Sequence, residues 1–114
     1  MYSILLFTKE KEKPREIQAF LEDIREAMLN YCDVRVISNE LRKDNIIASA
    51  QYETLKVSIP QHLANQALYD ILYGDPSERK LKATAEALGK CTYHDNNRKL
   101  ADKINKFLSG QSYN

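Results

Sequence analysis

Cys91 and His94 stand three residues apart in "CTYH", and a thiol beside an imidazole is the pair in this chain best equipped for chemistry. Together with Cys32 and His62 they amount to four ligands of the types zinc prefers. The spacing is only half of a zinc motif, however, and the other two ligands would have to arrive from distant parts of the chain. No metal is therefore expected. As nucleophile and base the same pair is weaker still: "KCTYHD" reads as a short strand or turn, and if 91–94 is a strand, positions three apart point to opposite faces and cannot share a proton. Asp44, Glu53 and Lys56 suggest a metal-dependent nuclease core, which needs its acid and its lysine on one strand face. The odd separation of Glu53 and Lys56 rules this out unless a bulge intervenes. Phosphate-cradling loops need clustered glycines, and Gly74, Gly89 and Gly110 are widely separated, so P-loop and dinucleotide fingerprints are excluded. The chain is expected to hold no catalytic residue and no cofactor.

The elements that would have to position such groups belong to one small domain. A length of 114 residues with 43% hydrophobic and 29% charged side chains suits a single core, taken here as residues 1–110 with a frayed tail at 111–114. Cys32 and Cys91 lack a CxxC spacing and are read as reduced thiols. The opening "MYSILLF" is too short for a signal sequence, and no apolar run approaches membrane-spanning length, so a soluble cytoplasmic protein without membrane contact is expected. Net charge is +1, but it is unevenly spread. Residues 1–55 carry eight basic and ten acidic side chains, whereas residues 56–114 carry nine and six. The bases of the second half concentrate in "SERKLKAT" and "NNRKLADKINK".

Periodicity predicts an α+β domain: a β-α-β unit, further strands, and two or three C-terminal helices. "YSILLF" has the length and composition of a buried strand. After the charged turn "TKEKEKPRE", with Pro14 near a helix start, Ile17, Phe20, Leu21, Ile24, Met28 and Tyr31 recur at helical spacing. "CDVRVIS" alternates and reads as a second strand. Residues 39–52 fit either a helix or a turn at 43–45 followed by a strand, and the second reading is favoured. "ETLKVSI" alternates again, with Leu55, Val57 and Ile59 on one face. Pro60 then opens a helix whose inner stripe is Leu63, Ala67, Leu68, Ile71 and Leu72. Ser77 is placed to cap the next helix, with Leu81, Thr84, Ala85 and Leu88 inside and Gly89 at its end. Leu100, Ala101, Ile104, Phe107 and Leu108 define the last one.

Two binding surfaces emerge from this layout. His62, Gln66, Tyr69 and Tyr73 fall along one flank of the Pro60 helix, and tyrosine, with an apolar body and a hydroxyl that tolerates water, is a common interface residue. That flank would serve a protein partner in an inhibitor, immunity or adaptor role. The other surface rests on a likeness. The alternation "TLKVSIP", Leu63 in the first helix, Ser77 at the start of the second, and Leu81 with Ala85 within it resemble the ribbon-helix-helix DNA-binding family over residues 54–90. The resemblance implies an intertwined homodimer. It also implies that Thr54, Lys56 and Ser58 read base edges and that the helix start at Ser77 holds a phosphate, with Arg79, Lys80 and Lys82 nearby as further phosphate contacts. A small non-catalytic binding protein is thus expected, its sharpest form a dimeric DNA-binding regulator and its alternative a protein-binding module.

Overall fold

The computed structural model of the chain describes residues 2–56, 60–91 and 94–112, with side chains from Pro14 onward except that of Lys56. Among the described residues there are six α-helices: α1 (Tyr2–Asn30), α2 (Ser38–Lys43), α3 (Ser49–Lys56), α4 (Gln61–Gly74), α5 (Glu78–Gly89) and α6 (Asp95–Leu108), with one 3₁₀ turn at Val34–Val36. No strand occurs among the described residues. The expected α+β domain with its β-α-β unit is overturned, and the described residues form an all-helical fold.

Where the expected strands fall on described residues, they fail for local reasons, while Thr92 and Tyr93 of "KCTYHD" lie outside the described residues. "YSILLF" belongs to α1, which runs on through Pro14. Lys, Glu and Arg flank that proline on both sides and favour the helix, so the turn they were expected to make does not form. "CDVRVIS" is bent into the 3₁₀ turn because the Asp33 carboxylate turns back to accept the Arg35 N–H at 3.2 Å. Val34 is buried there while Val36 is 40% exposed, so the two do not share a face.

Residues 43–45 do turn, but the chain after them is helical. At the end of α2 the Asn45 N–H donates to the Arg42 carbonyl at 3.1 Å and the Ile46 N–H to the Leu41 carbonyl at 2.9 Å. Asn45 sits at φ 58°. This is a Schellman closure, with its characteristic apolar contact supplied by buried Ile46 and Leu41. The start of α3 at Ser49 is held by Gln51, whose side chain accepts the Ala48 N–H at 2.6 Å, half of a capping box. Leu55 is its buried anchor. The run "ETLKVSI" is helical as far as Lys56, while Val57, Ser58 and Ile59 lie outside the described residues.

The helices expected from apolar spacing are present, and they pack as two antiparallel pairs. α4 lies along α1: Gln18 Nε2 donates to the Tyr73 carbonyl at one end, and Gln61 Nε2 to the Cys32 carbonyl at the other. Beyond Gln18 the α1 backbone continues toward Tyr2 for about four turns. α5 and α6 form a helical hairpin, and Phe107 of α6 stacks on Phe20 of α1 with ring centroids 4.2 Å apart. α2 and α3 close the remaining side. Arg79 of α5 donates to the Asp44 carbonyl after α2, and Lys90 pairs with Glu40 at 3.2 Å.

Ile17, Phe20, Leu21, Ile24, Met28, Leu41, Leu68, Leu72, Leu81, Leu88 and Ile104 fill the core between these layers. Burying each such side chain contributes ~1.5–3 kcal/mol. Two residues assigned to apolar stripes lie outside it: Tyr31 is 56% exposed and Leu63 48%. α6 ends in a second Schellman closure, with Gly110 at φ 79° and the Gln111 N–H on the Lys106 carbonyl at 2.8 Å.

Candidate functional site

The described residues carried over for DNA reading lie on or beside two separate helices, α3 and α5. Thr54 and Lys56 lie in α3, not in an extended ribbon, and the Thr54 hydroxyl donates back to the Ala50 carbonyl of its own helix at 3.0 Å. Ser58 lies outside the described residues. Ser77 does cap α5, its oxygen accepting the Lys80 N–H at 3.4 Å. Arg79 is held by the Asp44 carbonyl and Lys80 pairs with Asp75 at 2.6 Å, leaving Lys82 exposed. Two open clefts of about 480 and 440 Å³ flank Arg79 and Lys82, and Glu78 and Glu86 on their rims offset the positive charge.

The tyrosine flank of α4 is largely taken up inside the molecule. Tyr69 is buried, stacks on Tyr73 at 5.8 Å and lies under the Arg25 guanidinium at 5.7 Å. Burial raises its pKa above the ordinary phenol value, with Arg25 opposing. The Tyr73 hydroxyl donates to Glu22 at 2.7 Å, and that bond raises its pKa in turn. These rings bind α4 to α1. Only His62 and Gln66 of the flank are exposed.

Cys91 and His94 are likewise separated in role. His94 caps α6, its Nδ1 accepting the Asn97 N–H at 3.2 Å, while Cys91 is a buried thiol whose Sγ approaches the Ala87 carbonyl. Cys32 is buried in the same core. Its thiol is pushed up to about 12, first by burial and then by the charges of Asp33 and Cys91. A thiol so protonated is a poor nucleophile. Among the described residues no three of His, Cys, Asp and Glu are grouped to hold a metal, and no helix is long and apolar enough to cross a membrane.

The most specific polar construction lies where α1 ends. Asn65 of α4, fully buried, accepts the Val34 N–H at 3.0 Å and donates to the carbonyls of Leu29 and Cys32 at 3.2 and 2.6 Å. Asn97 of α6, also fully buried, accepts the Asp33 N–H at 2.9 Å and donates to the Asp33 carbonyl at 3.3 Å. The two amides grip residues 29–34 from opposite helices, so the backbone on either side of Tyr31 is fixed. Tyr31 itself faces outward. It borders a cleft of about 230 Å³ between α1 and α6, lined by Ala27, Leu100, Asn96, Lys99 and Lys103.

Sequence reasoning passed over Asn65, Asn97 and this cleft. The signal for the amides was present: Asn65 falls between Ala64 and Leu68 on the inner stripe of α4, and Asn97 precedes Leu100, Ala101 and Ile104 on that of α6. A polar residue in register with core positions must find buried partners, here the backbone of a loop. No protein-family model matches the chain, no curated protein matches it, and no solved structure matches its fold.

Proposed function

We propose that the chain is a non-catalytic helical module that binds another protein through the cleft between the end of α1 and α6. The observation that carries this reading is the exposed ring of Tyr31, 56% accessible, beside a cleft floored by Ala27 and Leu100 and held in place by two buried amides. An exposed aromatic on a fixed backbone loses little conformational freedom on binding, which favours affinity. The cleft volume of about 230 Å³ falls below the ~300–1,000 Å³ usual for small-molecule pockets. It suits one or two side chains of a protein partner better than a metabolite.

The test is selection of short random peptides, displayed on phage, against the immobilised chain. Binders are expected whose retention drops about tenfold or more when Ala27→Arg fills the cleft, and also when Tyr31→Ala removes the ring. Leu63→Ala, on the outer face of α4, is expected to leave them bound. Binders indifferent to Ala27→Arg, or no enrichment at all, would rule the reading out.

A further inference from the structure

Among the described residues that line this cleft there are two lysines and no acidic side chain. On α6, Arg98 pairs with Asp95 and Lys106 with Asp102 at 3.1 Å. Lys99 and Lys103 are in no ion pair or hydrogen bond among the described residues; the Asp95 carboxyl is held below its ordinary value chiefly by its hydrogen bond to Arg98, with a smaller contribution from the charge of Lys99. Both line the cleft, and both lie on one stripe of the helix, four residues apart. Asp23, two turns back from Tyr31 along α1, already has an interaction of its own. The cleft is therefore apolar at its floor, through Ala27 and Leu100, and positively charged along one rim.

Resting on the reading of this cleft as a protein-binding site, we infer that its occupant is an acidic amphipathic helix. An apolar side chain of that helix enters between Ala27 and Leu100, and carboxylates face Lys99 and Lys103. Four residues of α helix rise ~6 Å, so the two ammonium groups repeat along α6 at the same interval as carboxylates placed at i and i+4 on a helix laid beside it. Apolar anchors in a groove with charged residues beside them are how helical peptides are commonly seated. The lysines add steering and orientation, and because the rim is open to water their contribution is sensitive to salt. The Tyr31 hydroxyl offers a further donor to a carboxylate at the mouth.

The experiment uses the peptides selected on the full chain. Enriched sequences are expected to be acidic, with Asp or Glu four residues apart beside a large apolar residue, and to lose about tenfold to a hundredfold in affinity against the Lys99→Glu, Lys103→Glu double variant. Lys103→Met keeps the half-buried stem of that side chain while removing its charge, and is expected to weaken binding without lowering the melting temperature. Peptides lost on Ala27→Arg but neutral, basic or unaffected by charge reversal would overturn the acidic-helix inference and leave the module reading standing. Peptides unaffected by Ala27→Arg would remove both. A mixed-sequence duplex DNA retained by the chain, and released by the same double variant, would assign the lysines to phosphate and overturn the inference.

Discussion

The side-chain amide of Asn97 forms hydrogen bonds to both backbone groups of a single residue, Asp33, accepting its N–H at 2.9 Å and donating to its carbonyl at 3.3 Å. The two residues are 64 positions apart. The contact thus joins the start of α6 to the loop leaving α1, and does so where neither water nor another side chain competes for the Asn97 amide, which is fully buried.

Asn97→Leu keeps much of the volume and removes both bonds. Leaving the Asp33 N–H without its acceptor is expected to destabilise the fold by ~1–3 kcal/mol, seen as a lower urea midpoint with an unchanged slope. Asn97→Asp, which keeps an acceptor for the Asp33 N–H and sets a carboxylate against the carbonyl, is expected to recover little of this.

Asn65 carries three bonds to the last turn of α1 and the same loop, and Asn65→Leu is expected to cost more, about 2–4 kcal/mol, because several buried groups lose partners together. Since both amides grip one loop, the double variant with Asn97→Leu is expected to be less than additive. A strictly additive result in urea titration would mean that the two clamps act on separate units.

Asn45 holds φ 58° at the end of α2. Glycine adopts that conformation freely and a β-branched residue does not, so Asn45→Gly is expected to hold or slightly raise the melting temperature, while Asn45→Val costs ~1–2 kcal/mol. Equal melting temperatures for the two variants would show that the left-handed closure does not constrain the fold.

The Cys32 thiol, raised from 9.0 to about 12 mainly by burial, gives stability a defined alkaline dependence. Below pH 9.0 both folded and unfolded chains hold the proton. Between 9.0 and about 12 only the unfolded thiol ionises, so the unfolded state gains and stability falls as pH rises. The loss approaches ~1.4 kcal/mol per pH unit for one proton. Comparing urea titrations of the native chain and Cys32→Ala across that window isolates the effect from the lysines and tyrosines common to both. A slope identical in the two proteins would show that Cys32 does not carry it.

Helices with a wide apolar stripe were legible from the sequence. The spacing of Ile17, Phe20, Leu21, Ile24 and Met28, the start at Pro60, and the cap at Ser77 with Leu81, Ala85 and Leu88 behind it all correspond to observed elements. Strands were expected where, among the described residues, none forms, because short runs carry little period information. "CDVRVIS" alternates in letters, yet the Asp33 carboxylate on the Arg35 N–H, with Asn97 and Asn65 holding the backbone of Asp33 and Val34, curls it. In α3 the anchoring is by Leu55 and a side-chain cap from Gln51, and one buried position cannot distinguish a period of two from one of 3.6. The cleft was not legible because it belongs to α1 and α6 jointly. Tyr31 has the spacing of a last residue in an apolar stripe, and only the turn after Asn30 carries its ring outward.

The stack of Phe20 on Phe107 also bears on how the chain can assemble during synthesis. α1 leaves the ribosome before any of α4 or α6 exists, and its apolar face must wait, uncovered, for partners made much later. The α5–α6 hairpin has its contacts close in sequence and can form quickly on its own. Docking it onto α1 closes a loop of most of the chain, an entropic cost that slows folding relative to bundles whose neighbouring helices are consecutive. A nascent chain stalled before Phe107 therefore lacks the ring that covers Phe20 in the folded protein, and such uncovered apolar surface favours aggregation.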